Sequence, residues 1–374
     1  MNKRVIAAAA LAAGLFVHTQ GFTQVPINPS TSASTAADAA TMSGPEKEAR
    51  KIWRAVMKNI PVPGQGCFHV KYPNVGWEHL DCEETQPRAH HVPPRPTHGA
   101  PDIVGGGLND YIAQGNGLIS EASGKFPFVT GVTSETNAGG GTGAIAGPNE
   151  YSLQINTNDN GSTNACKNHL HCSVWQQFVY STDYNQRGHA ALYIQYWLLS
   201  WDASCPSGWW KVTNPSSTEI DCYKNSESLA VPDVPVTELG DVALYVTVVN
   251  GGADGVEFVF GDDYWQLTAE DSVLDVASVW NQAEFNVFGD ADGSQAQFNR
   301  GSKITVQLGI YDNSHAAPTC VGHTGTTGET NNLNLGTCEA FTGPLDSPIP
   351  YIEFSESWPW PVLPPGICLA CVAE

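Results

Sequence analysis

Basic charge is what this chain has least of. Only 17 residues are lysine or arginine against 38 aspartates and glutamates, giving a formal net charge of −21. Binding to nucleic acid or to an anionic membrane surface needs basic patches, so neither partner is expected. Charge of either sign is scarce, at 15% of residues. Gly, Asn, Ser and Thr supply the polarity instead, which suits an extracellular β protein that meets varying pH. Beyond the N-terminus no run is long and apolar enough to span a bilayer.

Familiar hydrolase signatures are missing too. There is no nucleophile elbow, no Walker loop and no HExxH, and the histidines lack metal-ligand spacing. Serine, cysteine and metal-dependent hydrolysis are therefore poorly supported, and no metal or other cofactor is expected. Asn156-Thr157-Asn158-Asp159-Asn160-Gly161 resembles the start of a calcium loop, but Lys167 stands where a bidentate glutamate should close it. Asp290 and Asp292 ahead of Gly293 are similarly incomplete. Both stretches are read as turns.

What is present begins with an export address. Lys3 and Arg4 precede the apolar stretch from Val5 to Val17, which His18-Thr19-Gln20-Gly21 ends. That is signal-peptide length, about 7–15 apolar residues, so residues 1–22 are read as a signal and the protein as secreted. Ten cysteines fit an oxidising destination. They fall into five consecutive pairs, Cys67/Cys82, Cys166/Cys172, Cys205/Cys222, Cys320/Cys338 and Cys368/Cys371, and nearest-neighbour bonding is the economical expectation. Cys368 and Cys371 have CxxC spacing, yet no second CxxC or nearby histidine completes a zinc site, so a terminal staple is expected.

Residues 23–42 are rich in Pro, Ser, Thr and Ala without periodicity. Ser43 then looks like an N-cap, and Ala49, Ile52, Trp53, Val56, Met57 and Ile60 follow as a helical apolar stripe. A small aromatic module runs from Cys67 to Cys82. Gln86 to Pro101 is a proline-rich linker carrying His90, His91 and His98. From about Asp102 the texture becomes short alternating segments between Gly, Asn, Asp and Pro clusters, the mark of an all-β domain. Strands are expected at Lys125–Val132, Tyr151–Asn156, Val174–Tyr180, Ala191–Leu199, Val242–Val249, Val256–Phe260, Tyr264–Thr268, Gln282–Phe288, Lys303–Tyr311 and Tyr351–Phe354. The expected fold is mainly β: one large antiparallel sandwich over residues 102–374, preceded by a small α-containing region over 23–101.

Several of these strands carry polar residues on one or both faces. Gln176 shares a face with Val174, Phe178 and Tyr180, while Gln177 shares the other with Trp175 and Val179. Gln195 lies between Tyr193 and Trp197 on one face. Gln282, Glu284 and Asn286 share a face opposite Ala283, Phe285 and Val287. Such faces can line a substrate cleft, or can simply be the solvated side of a sheet.

The stretch from Tyr151 to Asp290 resembles the concanavalin A-like sandwich of the eqolisin glutamic peptidases. The resemblance is carried by Val174-Trp175-Gln176-Gln177-Phe178-Val179, by Tyr193-Ile194-Gln195-Tyr196-Trp197, by Gly240-Asp241 leading the strand to Val248, and by Asn281-Gln282-Ala283-Glu284-Phe285-Asn286-Val287 with Asp290 beyond. The family's tryptophan-glycine pair ahead of the glutamine strand is absent, and Trp201 to Pro232 stands as an insertion. Neprosin-like glutamic peptidases are a second possible kinship. The resemblance implies a secreted, acid-acting endopeptidase with Gln176 and Glu284 as its dyad and Gln177, Tyr193, Gln195 and Trp197 lining the substrate. Gln177 remains the alternative glutamine. It further implies a protein or peptide substrate, a monomer and no cofactor. In that reading residues 23–101 are a propeptide whose helix covers the cleft, loosened near pH 5–6 as the linker histidines charge; the alternative is a permanent N-terminal extension packed beside the sheet. The reading from a different class is a lectin-like sandwich that binds carbohydrate or another surface without catalysis.

Overall fold

The computed structural model describes residues 43–57, 59–90, 103–105, 109–138, 146–213, 220–291, 293–325, 327–343 and 349–358. The signal stretch, His91, His98, Asp292, Cys368 and Cys371 lie outside the described residues. Among the described residues no helix is long and apolar enough to cross a membrane.

The alternation read in the sequence becomes two stacked sheets, antiparallel in nearly every pairing. The smaller has eight strands in the order Trp210–Thr213, Ile220–Val231, Ala190–Leu199, Ser173–Ser181, Tyr151–Thr157, Gln282–Gly289, Asp110–Gln114, Thr319–Thr324. The larger has thirteen, and its centre is built from Val242–Thr247, Glu121–Thr130, Lys303–Tyr311 and Tyr351–Ser357. Among the described residues Gln295–Phe298 is the exception to antiparallel order, running parallel to Thr330–Phe341. The core fills the space between the sheets. Leu153, Ile155, Val174, Phe178, Tyr180, Ile194, Tyr196, Phe285 and Val287 come from the smaller sheet. Phe126, Leu244, Val246, Phe258, Ile304, Val306, Leu308 and Ile310 meet them from the larger. As the alternation in Lys303–Tyr311 predicts, its apolar residues are all buried in that core.

Four of the expected disulfides are formed: Cys67–Cys82, Cys166–Cys172, Cys205–Cys222 and Cys320–Cys338. The last joins Thr319–Thr324 of the smaller sheet to Thr330–Phe341 of the larger. The aromatic module forms Gly66–Lys71 and Glu78–Leu80, which add to the edge of the larger sheet beside Asp263–Glu270. The stretch expected to be an insertion supplies Trp210–Thr213 and Ile220–Val231, the edge of the smaller sheet.

One helix, Gly44–Met57, starts where Ser43 predicts; the Glu46 amide donates to the Ser43 hydroxyl at 3.4 Å. The helix does not dock through the whole apolar stripe. Trp53 and Met57 are buried against Val70, Val259 and Tyr264, while Ile52 and Val56 stay exposed. Arg50 and Arg54 both pair with Asp262, so the face spanning 50, 53, 54 and 57 turns inward. Trp53 also donates to the carbonyl of Asn74 at 2.5 Å. This corrects the expectation that the helix covers a cleft: it lies on the outer side of the larger sheet, the side opposite Val256, Phe258 and Phe260.

The contact that positions the later site is Phe285 on Gly124. Gly124 sits between Leu244 and Leu308 in the larger sheet. A Cβ added there would come within 2.2 Å of the Phe285 ring, and Phe126 packs on the same ring at 5.2 Å. Gly124→Ala should therefore cost about 1–3 kcal/mol of stability by overpacking, read as a lower urea midpoint. In the Gly124→Ala background, Phe285→Leu should recover part of that loss. Strictly additive losses for the two changes would show that the ring does not depend on the glycine.

Candidate active site

In the smaller sheet the central strands Tyr151–Thr157, Ser173–Ser181, Ala190–Leu199 and Gln282–Gly289 are buried on both faces, and the face turned away from the core carries many polar side chains among its aromatics. Backbone pairing sets its residues in rows. Asn225, Gln195, Gln177, Asn156 and Glu284 stand side by side across five neighbouring strands. On one side of this row lie Tyr223, Trp197 and Trp175. On the other lie Ser228, Tyr193, Val179, Gln154 and Asn286, followed by Ser181 and Ser152. All are buried. A polar side chain out of water needs a partner, and here the partners are mostly one another.

The bonds form a connected network. The Trp197 indole donates to Gln177 Oε1 at 2.9 Å and to Gln195 Oε1 at 2.9 Å. Gln177 Nε2 donates to Gln154 Oε1 at 2.9 Å. Asn156 Nδ2 donates to that same Gln154 oxygen at 3.3 Å and to Glu284 Oε2 at 3.0 Å. Gln154 Nε2 reaches Ser152 Oγ at 2.8 Å and Glu329 Oε2 at 3.0 Å. Gln177 and Glu284 are thus tied together through Gln154 and Asn156. With one strand between theirs, their backbones lie about 10 Å apart.

At the Glu284 end the carboxyl groups crowd. Burial and the nearby Glu284 and Glu356 carboxylates hold Asp110 well above the usual range. Burial also raises Glu356, although Asn286 and Asn331 donate to it at 2.6 and 3.2 Å. Asn286 further donates to both oxygens of Asp110. Gly325 closes over this corner with φ +142°; a Cβ there would meet Glu284 Oε1 at 2.5 Å.

The residues predicted from sequence divide cleanly. Gln177, Tyr193, Gln195, Trp197 and Glu284 share the polar face. Gln176 does not: it points into the core, donating from Nε2 to Asp254 Oδ2 of the opposite sheet at 2.7 Å. Gln176 and Glu284 are therefore not brought together, and Gln177 is the glutamine in Glu284's row. Sequence reading missed Gln154, Asn156 and Asn225. The clue was Ser152, Gln154 and Asn156 at alternate positions of a strand that is otherwise apolar. The calcium-like stretch is the end of Tyr151–Thr157 and the segment after it: Asn158 Oδ1 accepts from the Asn281 and Gln282 amides and Asn160 bridges Val174.

A segment of the chain itself lies on this face. Between Cys82 and the proline-rich linker, residues 83–90 have no regular structure apart from one bridge, Glu83 to Ser228. Gln195 holds the backbone on both sides of Ala89, its Nε2 donating to the Arg88 carbonyl at 2.7 Å and its Oε1 accepting from the His90 amide at 2.8 Å. Asn225 donates to the Gln86 carbonyl at 3.1 Å. Ala89 packs on Trp175, Trp197 and Tyr223. The His90 ring meets Tyr193 Oη at 2.6 Å and Gln154 Nε2 at 3.2 Å.

The Gln176–Asp254 pair yields a pH prediction. Burial pushes Asp254 up to about 7, above its unfolded range near 4. The folded state then binds the proton more tightly between those values. The associated stability is full below about pH 4 and is lost as pH rises through about 7. Glu356 acts in the same sense. Denaturant unfolding should show stability falling from pH 4 to pH 7, by up to about 1.4 kcal/mol per pH unit for each such group. Asp254→Asn should flatten the slope. Stability that rises over this interval would contradict the assignment.

Comparison of the chain with protein-family models, with curated proteins and with solved structures gives no match.

Proposed function

We propose that the chain is an acid-acting glutamic endopeptidase that uses Glu284 and Gln177, a secreted protein of the kind its resemblance to eqolisins implies. The observation that carries this reading is the way the polar face holds residues 86–90. Gln195 and Asn225 bond backbone N–H and C=O groups, which every peptide has, rather than features of one side chain. A face that grips main chain and places a carboxylate and a carboxamide in the same row has what peptide hydrolysis needs. The lectin-like alternative draws less support. Trp175, Trp197 and Tyr223 tilt against one another at 31–37° and are covered by Ala89 rather than offering an open platform.

In this mechanism the Glu284 carboxylate takes a proton from water as the oxygen attacks the scissile carbonyl carbon. It then returns that proton to the leaving amine. The Asn156 amide holds Glu284 by Oε2. Gln177 Nε2 spends one N–H on Gln154 Oε1, and its other N–H donates to the developing oxyanion. Because Gln177 does not titrate, its role survives in acid. No step calls on a cofactor.

The test uses the exported full-length chain, incubated at pH 4 and then assayed on a denatured protein across pH 2–8. Glu284→Gln should abolish cleavage without moving the melting temperature far. Gln177→Ala should lose about 10²–10³ in kcat, the size of one oxyanion donor. Gln176→Ala should keep kcat and lower stability, since its amide serves the core. Equal activity in wild type and Glu284→Gln, or a larger kcat loss for Gln176→Ala than for Gln177→Ala, would overturn the assignment. Sequencing the N-terminus after incubation shows whether the chain is cut between Gln86 and Gly107, as removal of a covering segment requires.

A further inference from the structure

Beside the backbone grip, the face ends in a pocket with an excess of acid. Its walls are Asp290 at the end of Gln282–Gly289, Glu150 just before Tyr151–Thr157, Ser181 at the end of its strand, and Tyr184 in the following turn. Into it goes the side chain of Arg88, which is 7% exposed. The guanidinium pairs with Asp290 Oδ2, lies 3.4 Å from Ser181 Oγ and stands over the Tyr184 ring at 5.1 Å. Ser181 also donates to Asp290 Oδ1 at 2.9 Å. Glu150 is wholly buried, and neither of its oxygens has a hydrogen-bond donor among the described residues. Its nearest cation is Arg88 Nη1 at 3.8 Å. Burial and Asp290 push the Glu150 carboxyl up to about 10.

Every wall of this pocket belongs to the sandwich, and its cation does not. Arg88 comes from an irregular segment whose neighbouring peptide groups are held by side-chain amides. The His90 imidazole of the same segment also lies 3.6 Å from Asp290 Oδ1, so displacing residues 88–90 would leave Asp290 a buried carboxylate without a counter-ion, an arrangement that strongly favours refilling by another cation. A planar guanidinium that can reach Asp290 and Ser181 while lying on Tyr184 fits better than a compact ammonium. The next two side chains of the segment define what else fits. A small residue lies on the aromatic cluster, and an imidazole follows it into the hole between Tyr193, Gln154 and Glu329.

We propose that Asp290, Glu150, Ser181 and Tyr184 form a subsite for the cationic side chain of a bound peptide. The preferred ligand is a peptide with arginine, a small residue and then a histidine, and residues 88–90 are this site's own occupant. The inference rests on reading the face as a peptide site, but its test is binding and does not require cleavage.

The probe is the fluorescein-labelled peptide Gln-Pro-Arg-Ala-His-amide, paired with an otherwise identical peptide carrying citrulline for arginine. Both are titrated against full-length chain carrying Glu284→Gln, so that neither is consumed. Arg88→Ala, added to this background, weakens the internal competitor and should tighten binding of the arginine peptide. In that double variant the citrulline peptide should bind about 30-fold or more weakly, the loss expected when one partner of a buried charge pair is removed. Adding Asp290→Asn should erase the difference while leaving weak binding through the backbone. If Arg88→Ala does not fold, Arg88→Gln, which keeps the stem and a donor over Tyr184, takes its place. Glu284→Gln alone should rank the two peptides in the same order. Equal binding of the two peptides, or a preference that survives Asp290→Asn, overturns the subsite. Arginine-dependent binding by a chain whose wild type cleaves nothing would keep the subsite and reject the peptidase. Cleavage by wild type with no arginine preference would do the reverse.

Discussion

Everything at the candidate site follows from burying the central strands of the smaller sheet on both faces. An antiparallel sheet with one wet face leaves its polar side chains to water. Here Ser152, Gln154 and Asn156 are as buried as the Leu153 and Ile155 between them. Each unpaired amide or hydroxyl in that setting would cost about 1–3 kcal/mol. The face is stable because most donors and acceptors match across strands, and the backbone register makes them match; Asn156 Oδ1 and the Trp175 indole are exceptions among the described residues. A shift of one residue in Tyr151–Thr157 would send Gln154 and Asn156 into the core and Leu153 and Ile155 among the amides.

The opposite face holds that register. Phe285 lies on Gly124 and Phe126 of the larger sheet, and Tyr180 stacks on Phe258 at 4.2 Å. Glu284 and Gln177 neighbour residues of these core-facing sets, so the packing that stabilises the sandwich also aims them outward. Gln176 is the exception on the core side. Its bond to Asp254 places a polar contact between the sheets, and this explains why two consecutive glutamines serve different ends.

Much of the fold was legible because its strongest strands alternate plainly. Lys303–Tyr311 is recovered residue for residue, and the disulfides within the described residues join nearest neighbours. Ile220–Val231 escaped because its face residues Asn225, Ser226 and Ser228 are polar, so it looks like a loop until their partners on Ala190–Leu199 and the 83–90 segment are known. The helix face was misjudged for a related reason. Its apolar stripe is real, but Asp262, far away in sequence, draws in Arg50 and Arg54 and rotates Ile52 and Val56 outward. At the site, alternation placed Glu284, Gln195, Tyr193 and Trp197 on strand faces, and the family resemblance nominated them as site residues. The choice between Gln176 and Gln177 could not be made in this way, since either face of Ser173–Ser181 mixes polar and apolar residues.

The choice is physical once the network is followed from its fixed points. An indole N–H can only donate, so Trp197 makes Oε1 the end of Gln177 that accepts and leaves Nε2 to donate. At the other end Glu284 Oε2 and Glu329 Oε2 accept, which turns the nitrogens of Asn156 and Gln154 toward them. Gln154 Oε1 is left to receive both Asn156 and Gln177. A carboxylate at position 177 would set an oxygen against that oxygen, whereas an amide satisfies it and has a second N–H to offer. The same logic does not operate at Gln176, whose Oε1 has no donor among the described residues and whose amide is committed to Asp254. Of the two glutamines, only Gln177 has an orientation imposed on it from both sides, so under the proposed peptidase reading it is the one that can present a fixed donor to a developing oxyanion.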